Sequence, residues 1–287
     1  MSAVKFKSLS SGSCGNCYFL GIEEDGKITD AIVIDAGVSL RRLKKELAAD
    51  GIDISCIRAV LVTHDHMDHI RSLGSYCKYL KLPVYATTVL HNAMARHTYT
   101  LEHLGAVRRD FRDGVWNTIV PGAFEVRYFI VPHDATQTVG YGIRVAGEYP
   151  FVIMTDIGAM TPEAMAFASH ARTVVVESNY DMDMLMGGPY THDLKMRICQ
   201  GNGHLSNDLC AEAVARFYHP ELDHVFLCHL SENNNTPQLA YNASSAALSG
   251  LGFCPSYAGS AVFSREDGAS LTLQPLPRRT PSPLFEL

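Results

Sequence analysis

The chain has 287 residues, of which 47% are hydrophobic and 19% are charged. This composition is that of a soluble globular protein with a sizeable core, and eight cysteines in so long a chain exclude a disulfide-stapled scaffold. The net charge of −6 gives no overall attraction to nucleic acid or to an acidic membrane, although local patches and metal ions can still hold phosphates. No apolar run reaches the ~20 residues of a membrane helix and no secretory signal opens the chain, so we expect a cytoplasmic protein with no membrane partner.

Strand-like and helix-like segments alternate along the chain. Strands are predicted at 4–9, 17–22, 31–35, 59–63, 83–86, 124–131, 139–146, 150–155, 173–177 and 223–228. Helices are predicted at 39–49, from the end of the strand at 59–63 to about Leu80, and with starts at Thr161, Ser206 and Thr236. This mixture indicates a layered α/β domain. We assign residues 1–274 to that domain and residues 275–287, with four prolines, to an irregular C-terminal tail.

The strand at 59–63 leads directly into a cluster of metal-ligand residues. Residues 63–69 read Thr-His-Asp-His-Met-Asp-His. The spacing of His64 and His66 places two imidazoles on the same side of an extended segment, and imidazole nitrogen is a good ligand for zinc and similar ions. The alternative is a solvated, histidine-rich loop. Ligand-type residues that follow other predicted strands favour the metal site.

Five predicted strands end in, or lead directly into, a residue that can bind a metal: Asp35, His64, His133, Asp156 and His229. Strand ends along one edge of a sheet converge in space, so these side chains are expected to meet. The number of ligands suits two divalent ions, of Zn²⁺ or Mn²⁺ with Fe²⁺ as a third option. The predicted ligands of the first ion are His64, His66 and His133, and those of the second ion are Asp68, His69 and His229. Asp156 is predicted to bridge the two ions. Asp35 is expected to orient one of the histidines.

The order of these motifs resembles the metallo-β-lactamase superfamily. The Thr-His-x-His-x-Asp-His run, a strand-end histidine, a strand-end aspartate and a late histidine follow one another from about residue 4 to 235. The resemblance implies an α/β (α+β) fold, a four-layer αββα sandwich with a dinuclear metal site at one edge.

Other segments resemble the YycJ/WalJ-like branch of that superfamily, whose members look like DNA exonucleases. They are residues 8–17 (Ser-Leu-Ser-Ser-Gly-Ser-Cys-Gly-Asn-Cys), 177–181, 203–207 and 228–234. From residue 177 onward the chain is also similar to tRNA 3′-processing nucleases. That similarity implies that His204 is a general acid and Glu177 its orienting partner. Asp68 is assigned to catalysis as well as to the metal, and Ser13, Asn16 and Asn179 to ligand support or substrate contact.

The resemblance therefore implies a metal-dependent nuclease, a DNA exonuclease that uses a metal-bridged hydroxide with His204 as the acid. A bound divalent ion lowers the pKa of water to around 7, and a positioned acid contributes typically 10²–10⁴-fold. Two alternatives stay open: a dinuclear hydrolase of a small ester, lactone, thioester or cyclic phosphodiester, and a non-catalytic binding protein. For His204 the alternative is a loop histidine that caps the helix starting at Ser206.

Nucleic acid must also be held along its backbone. The candidate basic groups are Arg41, Arg42, Lys44 and Lys45 on one helix face, and Arg108, Arg109 and Arg112. Each group has the alternative of being an ordinary solvated surface. The loop at 10–16 either cradles a phosphate with its backbone N–H groups or packs tightly beside the metals. Nothing in the sequence predicts an oligomeric state.

Overall fold

The computed structural model describes residues 3–98 and 100–287. In chain order, strands β1 to β6 are Ala3–Ser10, Cys17–Glu24, Lys27–Ile34, Ile57–Leu61, Val84–Ala86 and Arg108–Asp110. Strands β7 to β12 are Asn117–Val120, Phe124–Val131, Thr138–Val145, Tyr149–Met154, Thr173–Glu177 and His224–Cys228. Strands β13 to β16 are Cys254–Pro255, Val262–Ser264, Ser270–Pro275 and Phe285–Glu286.

The helices punctuate the strands in both halves of the chain. Helices α1 to α5 are Leu40–Ala49, Met67–Ile70, Leu73–Leu80, Thr88–Met94 and Leu104–Val107. Helices α6 to α10 are Pro162–Ala168, Met182–Gly187, His192–Cys199, Asn207–Phe217 and Pro237–Gly250. None of the described helices is long and apolar enough to cross a membrane.

The strands form two sheets that face each other. The first has seven strands in the order β16-β1-β2-β3-β4-β5-β6, and the second has nine in the order β13-β14-β15-β12-β11-β10-β9-β8-β7. Phe6 of the first sheet packs against Phe151 and Phe226 of the second, with ring centroids 5.5 and 5.0 Å apart. Apolar residues of α1, α3 and α4 extend this core, while α6, α9 and α10 pack on the second sheet in a core of their own. The predicted αββα sandwich is confirmed.

Parallel pairing in the centre of each sheet gives the site its position. Strands β3 to β6 run parallel in the first sheet, and β10, β11, β12 and β15 run parallel in the second. The carboxyl ends of neighbouring parallel strands lie at the same edge of their sheet. Loops that leave these strands therefore start side by side.

The helix predicted to run to about Leu80 is broken into α2 and α3. The break arises because backbone groups beside it bond to the strand end at Ala36: Ala36 N–H donates to His69 O at 2.8 Å and Ser72 N–H to Ala36 O at 3.0 Å. These bonds replace the helical pattern and hold α2, with Asp68 and His69, against the end of β3. The prediction of one continuous helix was wrong.

The proline-rich stretch at 275–287 starts at the end of β15 in the second sheet and crosses to the edge of the first sheet. β16 pairs with β1, and Ser282 exchanges two hydrogen bonds with the backbone of Ser8, at 2.8 and 3.0 Å. Phe285 packs on Phe226 with ring centroids 4.8 Å apart. The domain boundary at residue 274 stays a prediction.

Candidate metal centre

The predicted ligands and their predicted supporting residue, Asp35, all leave the same edge of the sandwich. Asp35 follows β3, residues 64–69 follow β4, His133 follows β8, Asp156 follows β10 and His229 follows β12. Glu177 is the last residue of β11, between the strands that precede Asp156 and His229. Strand order thus brings together residues that are up to 194 positions apart in the sequence, as the strand-end pattern predicts.

Three of these residues turn into the site through left-handed backbone. Asp35, Asp156 and His229 have φ angles of 63°, 55° and 52°. This region costs a non-glycine residue roughly 1–2 kcal/mol, and such strain persists where surrounding structure holds it in place. At each position it ends the strand and redirects the side chain into the centre.

The first group of ligands is His64, His66 and His133, whose candidate atoms lie within 4.8 Å of one another. Nδ1 of His133 donates to Gly203 O at 2.7 Å, which leaves the lone pair on Nε2. Nε2 of His64 and Nε2 of His133 are buried and have no hydrogen-bond partner among the described residues. Burial, together with the neighbouring His69, holds the pKa of His64 well below its ordinary value, and burial lowers the pKa of His133. Both rings are therefore neutral, the form that binds a metal.

The second group is Asp68, His69, Asp156 and His229, again within 4.8 Å. Asp156 reaches both groups, because its Oδ2 lies 3.2 Å from His69 Nε2 and its Oδ1 lies 3.8 Å from His133 Nε2. Burial opposes a charge on His229, but the carboxylates of Asp156, Asp68 and Glu177 outweigh it and raise its pKa to about 10. Such a negative field attracts a cation. Nε2 of His229 has no hydrogen-bond partner among the described residues, whereas Nε2 of His69 lies 2.8 Å from Asn16 Nδ2. Imidazole nitrogens with carboxylate oxygens are a donor set for Zn²⁺ and related divalent ions.

Each second-group histidine is oriented from behind by a carboxylate. Asp35 is fully buried, and its Oδ2 accepts from His69 Nδ1 at 2.7 Å. Glu177 Oε1 accepts from His229 Nδ1 at 2.9 Å. Carboxylates in this position fix the tautomer and ring orientation of a ligand histidine. Asp35 takes the supporting place that the sequence predicts, and Glu177 makes a second contact that the sequence did not reveal.

The two asparagines predicted to support the site contact its ligands. Asn16 donates from Nδ2 to Asp68 Oδ2 at 3.1 Å. Asn179 donates from Nδ2 to the carbonyl oxygen of His229 at 2.7 Å. Both bonds tie loops of the site to residues of the second group, while Ser13 lies at the cavity wall.

His204 lies beside the second group and is held by Glu177. Its Nδ1 donates to Glu177 Oε1 at 2.8 Å, so Nε2 is the nitrogen left for a substrate. Burial opposes a charge on His204, but the Glu177 carboxylate outweighs it and raises the pKa of the imidazole above its ordinary value. The capping alternative is contradicted, because the side chain of Ser206 accepts from Leu209 N–H and caps α9 itself.

A cavity of about 290 Å³ opens at the site, and its lining includes His66, His133, Asp68, Asp156, His229 and His204. Its wall includes residues that are not among the predicted site residues: Tyr190, Leu194, Arg197, Ile198, Ser231 and Asn234. Arg197 is the one arginine or lysine in this lining, and its Nε donates to Asp134 Oδ2 at 2.6 Å. A signal for this helix is present in the sequence, because the side chain of Thr191 caps the N-terminus of α8. The cap marks the start of the helix but does not indicate that the helix lies over the cavity.

The features predicted to bind phosphate are the loop at 10–16 and two groups of basic residues. The loop at 10–16 spends several backbone donors internally, with Gly12 N–H on Asn16 Oδ1 and Gly15 N–H on Gly12 O, both at 2.8 Å. This geometry matches the alternative of a tight loop packed beside the ligands. The candidate basic residues at 41–45 and 108–112 do not line the cavity.

Comparisons with known proteins show the family of this chain. The model of the beta-lactamase superfamily domain matches residues 30–230. Exodeoxyribonuclease YycJ of Bacillus anthracis is 34% identical over 253 residues, 87% of this chain and 91% of the relative. Exodeoxyribonuclease WalJ of Streptococcus pneumoniae is 30% identical over 243 residues, 84% of this chain and 87% of the relative.

A solved structure extends the comparison to the fold. The metallo-β-lactamase fold protein YhfI of Bacillus subtilis superposes with a TM-score of 0.65 at 14% identity, covering 99% of this chain and 100% of that one. The prediction of a metal-dependent hydrolase of this fold is confirmed. The chain belongs to the metallo-β-lactamase superfamily and, within it, to the branch of the YycJ and WalJ proteins.

Proposed function

We propose that the protein is a metal-dependent DNA exonuclease in which His204 is the general acid. The observation that carries the proposal is the 2.8 Å hydrogen bond between His204 and Glu177, with His204 in the wall of a cavity that members of both ligand groups also line. The names of the two curated relatives, both exodeoxyribonucleases, support DNA as the substrate.

We assign two divalent ions, Zn²⁺ or Mn²⁺, to the centre. His64, His66 and His133 would hold one, Asp68, His69 and His229 the other, and Asp156 would contact both. When bound, the ions would activate water and neutralise charge on the phosphate. The residues supply what remains: Asp35 and Glu177 orient the ligand histidines, and the buried setting strengthens each of these contacts.

Departure of the leaving oxygen needs a proton when a phosphodiester P–O bond breaks. His204 Nε2 would give that proton, while Nδ1 stays on Glu177 and keeps the ring in place. The raised pKa of His204 keeps the acid protonated to a higher pH than an ordinary histidine. Arg197 at the cavity wall would contact the phosphate by exchanging its bond to Asp134 for one to the substrate.

The first test compares two substrates that differ in their need for an acid. Replacing His204 by alanine should lower kcat on a DNA strand by roughly 10²–10⁴-fold. The same replacement should have a much smaller effect on the turnover of thymidine 5′-p-nitrophenyl phosphate, because nitrophenolate departs without a proton. The protein is loaded with Mn²⁺ or Zn²⁺ and given 5′- or 3′-labelled single-stranded and duplex DNA, so that stepwise shortening identifies an exonuclease and its polarity.

The matched control is His170→Ala, because His170 is exposed just after α6, is not part of the cavity lining, and bonds through its ring to the backbone oxygen of Ala166 at 2.9 Å. It should retain wild-type turnover of both substrates. An equal loss on both substrates in His204→Ala would remove the acid role and leave His204 as a positioning residue. Metal-loaded protein that shortens no DNA strand would contradict the nuclease and direct the search to small esters and cyclic phosphodiesters.

A further inference from the structure

Four arginines from three separate parts of the chain surround the loop at 10–16. Arg42 lies on α1, Arg71 follows α2, and Arg278 and Arg279 lie in the C-terminal stretch. We call these four residues the arginine rim. Arg71 and Arg279 are exposed, and Arg42 and Arg278 are half-buried.

Contacts place two rim arginines directly beside the loop. A Cβ atom on Gly15 would lie 2.5 Å from Arg71 Nη2, and one on Gly12 would lie 3.3 Å from Arg278 Nε. Arg42 donates to Arg279 O, which joins the remaining two to the same surface. The rim thus borders both ends of a loop only a few residues long.

That loop is the wall between the rim and the metal centre. At one end, Ser11 Oγ accepts from the backbone N–H of His229 at 2.9 Å. At the other, Asn16 N–H donates to Asp68 O at 2.8 Å. Exposed Ser13 between them lines the cavity. A strand that leaves the cavity across this loop meets the rim at once.

The rim keeps most of its positive charge. Arg42, Arg71 and Arg278 are anchored by backbone carbonyls, on Leu9, Gly37 and Leu230, each at 2.6 Å. Carbonyl groups hold a guanidinium in place without cancelling its charge. Among the described residues, Glu232 is the single carboxylate in ion pairs with the rim, to Arg278 at 3.1 Å and Arg279 at 2.7 Å. Four guanidinium groups against one carboxylate leave three positive charges on a chain whose net charge is −6.

We propose that the arginine rim is the surface that binds the sugar-phosphate backbone of the substrate strand as it leaves the metal centre over the loop at 10–16. The inference rests on the proposed nuclease function and adds the path of the strand. It also replaces the candidate basic face at 41–45, because the Arg42 guanidinium reaches to the loop and the C-terminal stretch. Fixed, uncompensated guanidinium groups are suited to phosphates, which are contacted without regard to sequence.

The test measures binding apart from hydrolysis. Anisotropy of a fluorescein-labelled single-stranded DNA oligonucleotide is followed across a salt series, with every protein in the His204→Ala background. The double variant Arg71→Gln/Arg279→Gln removes the two exposed charges. It should raise Kd by roughly tenfold and reduce the slope of log Kd against log salt by about 1.4, since each lost contact with a single strand removes ~0.7. Glu232→Gln should act in the opposite direction and lower Kd a few-fold.

The matched control removes two exposed positive charges elsewhere. Lys27 starts β3, far from its metal-site end, and Arg216 lies near the end of α9. Lys27→Gln/Arg216→Gln should leave Kd and the salt slope unchanged. Equal effects in the control and rim variants, or no effect in the rim variant, would overturn the proposal.

Two further outcomes separate the surface from the activity. If the rim double variant fails to fold, as judged by thermal unfolding, Arg279→Gln and Glu232→Gln carry the same test with opposite signs. If the protein with His204 intact binds DNA through the rim but shortens no DNA strand, the proposed nuclease activity is contradicted and the rim proposal is retained. If the protein turns over thymidine 5′-p-nitrophenyl phosphate but binds no DNA, the rim proposal is overturned.

Discussion

At the scale of single residues, buried carboxylates organise the histidines of the metal centre. Asp35 accepts from His69 Nδ1 through Oδ2 and from Thr63 N–H through Oδ1, at 2.7 and 2.8 Å. Its left-handed φ of 63° and complete burial show that this arrangement is held by its surroundings. The carboxylate therefore decides that Nε2 is the nitrogen of His69 that would face a metal ion.

The change Asp35→Asn tests this role. An amide keeps the size and the backbone preference of aspartate, but it loses the charge that holds the proton on Nδ1 of His69. Metal affinity should fall by roughly 10–100-fold, measured by competition with a chromogenic chelator. Asp30→Asn is the control, because Asp30 lies near the other end of β3 and pairs with Arg58 at 2.6 Å. Wild-type metal affinity in Asp35→Asn would show that the carboxylate only supports the loop.

At the scale of elements, α8 and the turn after it are connected both to a candidate metal ligand and to the proposed general acid. It buries none of its residues, yet the carbonyl oxygen of Ile198 accepts from His204 N–H at 2.8 Å. The following turn supplies Gly203 O, the acceptor for His133 Nδ1 at 2.7 Å. The end of α8 thus sets the position of one metal ligand and of the proposed acid.

The change Gly203→Ala should disturb both positions. A Cβ atom on Gly203 would lie 2.1 Å from Ile198 O and 2.3 Å from Arg197 O, so the turn must move. A displacement of about 1 Å can cost on the order of 10²-fold in rate. We expect a loss of that size in kcat on the nitrophenyl diester.

Gly201→Ala is the matched control for that change, because a Cβ atom on Gly201 would meet nothing within 4 Å. It should keep wild-type kcat and the wild-type unfolding temperature. Full activity in Gly203→Ala would show that α8 and its turn move without effect on the centre.

At the scale of the whole molecule, the candidate metal centre takes its residues from both sheets. His64, His66, Asp68 and His69 follow a strand of the first sheet, whereas His133, Asp156 and His229 follow strands of the second. An ion that contacts Asp156 and His69 links loops from both halves of the sandwich. Metal binding should therefore contribute to the stability of the entire fold.

Removal of metal tests this contribution. An ion that binds only the folded chain adds about 2.7 kcal/mol when its free concentration is 100 times its Kd. EDTA should therefore lower the unfolding temperature of metal-loaded protein, measured by circular dichroism. In the control His64→Ala/His229→Ala, which lacks a ligand of each group, EDTA should have no effect. An unfolding temperature insensitive to EDTA in the wild type would contradict a structural contribution of the metal.

Local pattern was enough to predict the fold class and the residues that meet at the metal centre. The run at 63–69 is contiguous, and a ligand directly after an apolar strand can be recognised from adjacent residues alone. The residues that follow neighbouring parallel strands then meet at one edge, because such strands end at the same edge of their sheet. The pairing of Glu177 with His204 also followed the family order of motifs.

The tertiary structure alone decided the contacts that depend on loop conformation and helix placement. Positive φ at Asp35, Asp156 and His229 directs these side chains inward. Nothing in the neighbouring sequence indicates it, because none of the three positions is a glycine. Arg197 reaches the cavity because α8 lies over it, and the arginine rim assembles from three distant segments. Such contacts follow from the packing of whole elements. The sequence by itself therefore determined which side chains can bind a metal, whereas the fold decided how they meet and which residues form the wall of the cavity.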